Sequence, residues 1–397
     1  MLDLSRVLAG PWAGQLLADY GADVIKIERP VTGDDTRFWG PPWLTDNAGN
    51  QTGESAYFLA ANRNKKSVTA DLSQPGGQAL VTRLARNADI LIENFRVGTL
   101  AKHGLDADSL LHLNPRLIYC SISAYGQSGS RRLLPGYDAM MQAEAGLMSI
   151  TGAPDEEGGR PQKVGVAISD IMTGMYAVTA ILAALEARHR TGQGQSIDLS
   201  LYHSQVAWLA NQNQNYLMTG KSPRRLGTAH PNLVPYQTFV TSDGEVMIAV
   251  GNDRQFLACM QCLDLGSVGS ERRFATNVAR VRNRANLVSL MSDQLRHRSS
   301  AHWLRKLAGA GVPAGRINDL HAVFSDPYAE ETGLVRQLPH ALAEGVPYVT
   351  NPVHFSATPV EYRSAAPTLG QHTDAVLGGE LQYTAAEIEA LRRSGAV

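Results

Sequence analysis

The chain has 397 residues, 44% of them hydrophobic and 18% charged, which is enough apolar material for one large or two ordinary globular domains. Its 36 Lys and Arg stand against 37 Asp and Glu, so it lacks the broad positive field that nucleic acid or an anionic membrane surface would require. Three cysteines, Cys120, Cys259 and Cys262, are too few and too unevenly placed for a disulfide framework, and a reducing compartment is expected.

Met1-Leu2-Asp3-Leu4 carries neither a basic leader, an apolar signal core nor an Arg-rich presequence. No apolar run reaches the roughly 18 residues of a membrane span, so no membrane partner is expected and the cytosol is the expected location. Through residue 125 short β-rich runs alternate with helical patterns. A strand is predicted over Asp3–Val7, a helix over Pro11–Tyr20 and a strand over Asp23–Glu28. Strands follow over Asp89–Glu93 and Leu117–Ser123, flanking a helix over Ala101–Leu113. That rhythm predicts βαβ units around a parallel sheet, an α/β fold of Rossmann-like topology with ligands at the carboxyl ends of the strands. Ala9-Gly10-Pro11-Trp12-Ala13-Gly14 lacks the G-x-G-x-x-G spacing, which disfavours NAD. Gly220-Lys221-Ser222 imitates the end of a P-loop without its first glycine.

A long, small-residue-rich helix is expected over Ile171–Arg190, then a strand Ser196–Ser200 and a helix running through Met218. A hairpin, Tyr236–Thr241 with Glu245–Val250, and helices near Arg254–Leu263, Val281–Gln294 and Ala301–Gly309 read as a smaller α+β unit. Cys259 and Cys262 fall on one of these helices at core spacing, without the second pair or flanking His of a metal site. The expected division is a large domain over residues 1–205, a small domain with its connecting helix over 206–325, and a return of 326–397 to the large domain, closing with a helix over Thr384–Ser394.

None of the eleven histidines has metal-ligand spacing, and no G-x-S-x-G is present, so neither a metal site nor a serine hydrolase is expected. The most suggestive carboxylate is Asp170, in Gly165-Val166-Ala167-Ile168-Ser169-Asp170-Ile171-Met172-Thr173-Gly174. It is expected at a strand-to-helix corner, where unpaired helix N–H groups would hold it ionised and Gly174 would allow a close approach. On the local pattern alone a helix N-cap is the stronger reading, since Ser and Asp are preferred caps.

Arg6-Val7-Leu8-Ala9-Gly10-Pro11, Gly21-Ala22-Asp23-Val24-Ile25-Lys26-Ile27-Glu28-Arg29-Pro30, Asn62-Arg63-Asn64-Lys65-Lys66-Ser67, Glu93-Asn94-Phe95 and Tyr125-Gly126-Gln127-Ser128-Gly129 occur in that order. Gly136-Tyr137-Asp138, Arg188-His189-Arg190-Thr191-Gly192-Gln193-Gly194, Gly227-Thr228-Ala229-His230-Pro231 and Leu369-Gly370-Gln371-His372-Thr373 continue the series. Over essentially its whole length the chain resembles the class III CoA-transferases, the family of formyl-CoA:oxalate and carnitine CoA-transferases. The resemblance implies that Asp170 is a nucleophile forming aspartyl anhydride and aspartyl-CoA thioester intermediates. It implies a CoA site at Val7, Leu8, Ala9, Arg29, Asn94, Phe95, Lys102 and Tyr137, with coenzyme A as substrate and no permanently bound cofactor. It further implies an interlocked homodimer of ring-like chains.

Leu8 stands where the oxalate branch has Gln, and the glycine-rich flap of that branch is absent. Tyr137 stands where the α-methylacyl-CoA racemases of the same fold carry a catalytic His, and a phenol with a pKa near 10 shuttles protons poorly at neutral pH. Gly33-Asp34-Asp35-Thr36-Arg37, Asn211–Leu217 and Gly227–Phe239 are most similar to the succinyl-CoA:glutarate (hydroxymethylglutarate) branch. Transfer of CoA from succinyl-CoA to a dicarboxylic acid is therefore expected, ahead of racemisation or a non-dicarboxylate acceptor. Arg37, Asn215, Arg225 and His230 are candidates for the second carboxylate.

Overall fold

The computed structural model describes residues 1–397. Its first part includes β1 (Leu2–Asp3), α1 (Ala9–Asp19), β2 (Val24–Glu28), β3 (Lys65–Thr69), α2 (Pro75–Ala85), β4 (Ile90–Glu93), α3 (Ala107–Leu113) and β5 (Ile118–Ser123), with a hairpin of Trp43–Thr45 and Gln51–Ser55 and a short helix, Ala56–Ala60, between β2 and β3. Then come α4 (Asp138–Glu144), α5 (Ile168–Thr191), β6 (Gln195–Ser200), α6 (Leu201–Trp208) and α7 (Asn211–Thr219). The six strands form one sheet in the order β3-β2-β1-β4-β5-β6, with every pair parallel. The expected α/β architecture is therefore present.

The central strands β2, β4 and β5 read as largely apolar runs because both faces of the sheet are covered there, whereas β3 (KKSVT) and β6 (QSIDLS) at its edges do not. On one face Leu2, Leu4, Ile25, Ile27 and Leu91 pack with Leu80 and Leu84 of α2. On the other, Ile90, Ile92, Ile118 and Ile122 pack with Ala13 and Leu17 of α1 and with Val178 and Ile181 of α5. From β1 the chain runs outward through β2 and β3, then returns to β4 on the other side of β1. This reversal makes a crevice between the carboxyl ends of β1 and β4, where open α/β sheets bind ligands.

Several boundaries differ from expectation. β1 stops at Asp3 rather than Val7, because Ser5 folds back onto Asp3 and Val7 takes φ +70°. β3 has no counterpart among the expected strands. The helix expected over Ala101–Leu113 is a single tight turn, Leu100–His103, and α3, separated by Gly104 at φ +65°. α5 starts at Ile168 and no strand precedes it. The helix expected through Met218 is broken at Ala210, φ +48°. α5 is also long and apolar enough to cross a membrane by composition, which the polar residues scattered among its small ones had hidden; 44% of its most apolar window is buried, with one side packed against α1.

The chain forms two compact units, Met1–Leu147 with Lys163–Lys221 and Thr332–Val397, and Met148–Gln162 with Ser222–Glu331. The expected division after residue 205 falls inside α6, and 206–221 stay with the first unit. The second unit holds β7 (Tyr236–Val240), β8 (Glu245–Ala249), α8 (Asp253–Cys262), α9 (Arg284–Leu295), α10 (Ser300–Gly309) and β9 (Ala314–Arg316). Its antiparallel sheet, ordered β9-β8-β7, packs Phe239, Val246 and Ile248 against Phe256, Trp303 and Leu307. Cys259 and Cys262 are free thiols in that core.

The first unit closes with the hairpin β10 (Val335–His340) and β11 (Ala343–Val349), a strap along β3, and α11 (Ala385–Arg393). In the strap the His372 N–H donates to Ser67 O at 2.9 Å and the Gly370 N–H to Ser67 Oγ at 2.9 Å. A reciprocal capping box of Thr384 and Glu387 starts α11.

Candidate active site

The turn from β1 into α1 is the most constrained backbone near the crevice. A β-branched residue at positive φ is a steric outlier costing on the order of 1–3 kcal/mol, so surrounding groups must impose the Val7 conformation. Arg6 is gripped on both sides, its N–H donating to Asn94 Oδ1 at 2.8 Å and its carbonyl accepting from Asn94 Nδ2 at 2.7 Å. The Val7 N–H donates to the Asp34 carboxylate, at 3.2 and 3.3 Å. Beyond the turn, α1 starts without a side-chain cap, and no hydrogen bond uses the N–H of Leu8 or Ala9.

Asp170 is the third residue of α5, and Ala167 stands at the cap position. Asp138 performs the capping, accepting from the Ser169 N–H at 2.7 Å and the Asp170 N–H at 3.3 Å. The N-cap reading of Asp170 therefore fails. The expectation that helix N–H groups hold Asp170 ionised also needs correction, because Asp138 has taken those donors. Burial, and then the negative charge of Asp138, push the Asp170 carboxyl up to about 7. The group is 8% exposed and its carboxylate makes no hydrogen bond to the chain. Gly174, one turn on, does permit a close approach, but by α1: an added Cβ would lie 2.7 Å from Ala9 O and 3.2 Å from Trp12.

Asp170 lines a cleft of the first unit together with Val7, Leu8, Ala9, Asn94, Phe95 and Tyr137, all expected at the CoA site. Arg6, Arg96, Arg132, Leu133 and Leu134 share that wall and were not foreseen. The sequence signal for Arg96 was its place directly after the Asn94-Phe95 corner. Arg29 lines a neighbouring cleft that shares Arg6, Asp35 and Phe95 with the first. Lys102 is exposed on the tight turn Leu100–His103 and lines neither. Tyr57, also unforeseen, feels the same carboxylate: burial and then the Asp170 charge push its phenol up to about 12.

None of the four candidates for a second carboxylate lines either cleft. Arg37 is a correction, since its guanidinium is spent on both oxygens of Glu28 at 2.8 Å, on Glu54 at 3.0 Å and on Pro367 O at 3.1 Å. Asn215 sits on α7 and donates to Gln212 at 3.3 Å. Arg225 and His230 belong to the second unit. There Arg225 pairs with Asp155, and His230 accepts from the Asn232 N–H at 3.1 Å beside the Tyr236 ring.

The sequence model of CoA-transferase family III matches residues 1–373. The chain belongs to CoA-transferase family III. The succinate–glutarate CoA-transferase of Agrobacterium fabrum is 46% identical over 394 residues, 99% of this chain and 96% of that protein. The succinyl-CoA:glutarate CoA-transferase of Homo sapiens is 40% identical over 397 residues, 100% of this chain and 88% of that protein. Among solved structures, a CAIB/BAIF family protein from Brucella suis superimposes with a TM-score of 0.82 at 46% identity, covering 98% of this chain and 97% of that one. As a member of family III the chain is a transferase enzyme, and the resemblance drawn from its ordered motifs holds.

Proposed function

We propose that this family III enzyme moves CoA from succinyl-CoA to a dicarboxylic acid such as glutarate or hydroxymethylglutarate, with Asp170 as covalent nucleophile. One observation carries the reading: a buried carboxylate, without a hydrogen-bond partner, on the wall of the cleft at the sheet's reversal point. Such a group is poorly solvated and strongly nucleophilic once ionised. The named activities of the relatives from Agrobacterium fabrum and Homo sapiens support the donor and acceptor.

An Asp170 oxygen attacks the thioester carbonyl, the C–S bond breaks, and CoA leaves as thiolate from a mixed anhydride. The thiolate then attacks the Asp170 acyl carbon, releasing succinate and leaving an aspartyl-CoA thioester. The acceptor carboxylate attacks that thioester, expelling CoA again and forming a second anhydride. Attack of CoA on the acceptor's acyl carbon gives the new thioester and restores the Asp170 carboxylate. Leu8 and Ala9 N–H groups are suited to the developing oxyanion. Arg29 and Arg96 suit the phosphates, and Phe95 with Leu133 and Leu134 suits the pantetheine arm.

Incubation with succinyl-CoA and hydroxylamine tests this directly. Mass spectrometry should find a hydroxamate on Asp170, and new thioesters should form with glutarate or hydroxymethylglutarate. An active preparation with unmodified Asp170 would overturn the nucleophile. Solvent deuterium uptake at the α-carbon without acyl exchange would turn the reading toward a racemase.

We further infer a homodimer, of the interlocked kind, working in the cytosol without a permanent cofactor. Exposed Met175, Tyr176 and Leu182 on α5, Trp208 on α6, and Tyr216, Leu217 and Met218 on α7 support a partner surface. Three free thiols suit a reducing compartment.

A further inference from the structure

The run Gly33-Asp34-Asp35-Thr36-Arg37 takes no part in the chemistry above, yet Asp34, Thr36 and Arg37 are buried. The Asp34 carboxylate accepts from the Thr36 N–H at 3.0 Å, the Thr36 hydroxyl at 2.8 Å and the Lys26 ammonium at 2.9 Å. Its remaining donor is the Val7 N–H. Lys26 also donates to Ser5 O at 2.8 Å, so one ammonium holds both the end of β1 and the carboxylate that grips the turn. Both charged side chains are fully inaccessible to solvent. Burial is the largest single influence and works against each charge, but Asp34, Asp3 and Glu28 together raise the Lys26 pKa, and Lys26 with the Thr36 hydrogen bonds holds Asp34 below the usual carboxylate range.

A buried ion pair is weak evidence for stability, because a well-packed apolar pair often serves as well. An apolar pair could not accept the Val7 N–H. We propose that Lys26 and Asp34 are positioning residues that impose the left-handed conformation of Val7 and so fix the Leu8–Ala9 backbone beside Asp170. The catalytic consequence rests on the reading of Asp170 as nucleophile; the conformational part does not.

The test combines Asp34→Ala with Val7→Gly, since glycine adopts positive φ without a steric penalty. Asp34→Ala should lose about 10²-fold in kcat/KM, the scale of an ångström-sized misplacement. Val7→Gly in the Asp34→Ala background should recover about tenfold or more, which repair of general stability would not do. A crystal structure of Asp34→Ala should show residue 7 relaxed to negative φ. Residue 7 unmoved in that crystal, or no recovery by Val7→Gly, overturns the proposal. Should Asp34→Ala fail to fold, Asp34→Asn and its Val7→Gly double carry the same comparison. If the wild type transfers no CoA between succinate and glutarate, the proposed function fails, while the φ of residue 7 still decides this inference.

Discussion

Asp170 carries its carboxyl where water is scarce and a second carboxylate is near, and both facts set its working pH. As the proposed nucleophile Asp170 must be ionised, so kcat/KM should fall about tenfold per pH unit below a midpoint near 7, read as a pH–rate profile. Asp138→Asn keeps an oxygen for the α5 N–H groups but removes the charge. It should move that midpoint toward acid by a few tenths to about one pH unit, less than burial contributes. Glu93, buried under the Phe95 corner and likewise pushed up to about 7, is the competing source of such a limb; Glu93→Gln should leave the midpoint in place. Stability follows with a definite sign. A carboxyl raised from 3.8 on folding favours the folded chain fully below that value, and the benefit is lost as pH rises through about 7. Asp170→Asn should abolish transfer yet raise the melting temperature more at pH 8 than at pH 5, reflecting on the order of 1–3 kcal/mol. The sequence made Asp170 legible through its motif, but not its environment. Asp138 reaches the start of α5 across about thirty residues of chain, and no local pattern announces such a cap.

At the scale of elements, most strands and the long helices were legible because their apolar spacing matches their period, whereas α2 and α4 were not among the expected helices. β3 was missed because Lys65, Lys66 and Ser67 break that spacing, and Lys65 is nonetheless buried, with its ammonium 2.8 Å from Asp3. The early end of β1 was illegible for a different reason, since Asp34 and Asn94 hold the turn from far along the chain. The packing of α1 on α5 makes a sharper claim. Gly174→Ala should cost about 1–3 kcal/mol in thermal or urea unfolding and lower kcat, because the added methyl meets the Ala9 carbonyl. Gly309→Ala at the end of α10, with nothing within 4 Å, should be neutral or stabilising by up to about 1 kcal/mol.

For the whole molecule, the apolar faces of α5, α6 and α7 argue for assembly. Light scattering should report twice the 42.8 kDa chain mass, and the melting temperature should rise with protein concentration. Leu182→Asp, placing a charge on the exposed side of α5, should weaken both effects. The expectation of pairing came only from the family resemblance, since the monomer's sequence does not distinguish a surface awaiting a partner from a core helix. The first unit is also interrupted in sequence, and its final stretch covers residues laid down near its beginning. Asn64 donates to Asp19 Oδ1 at 2.9 Å and to Glu361 O at 2.8 Å, which ties an early loop to the late segment. Asn351 likewise donates to Asp19, Arg363 to Ala22 O, and the strap runs along β3.

That discontinuity has a consequence for synthesis. On the ribosome, all of the second unit is translated before the strap and α11 exist, so it is free to fold while the sheet edge at β3 stays bare. The edge at β3 can be covered only after Gly370 and His372, which bond to Ser67, have been translated. Until then the uncovered edge is open to pairing with other newly made chains.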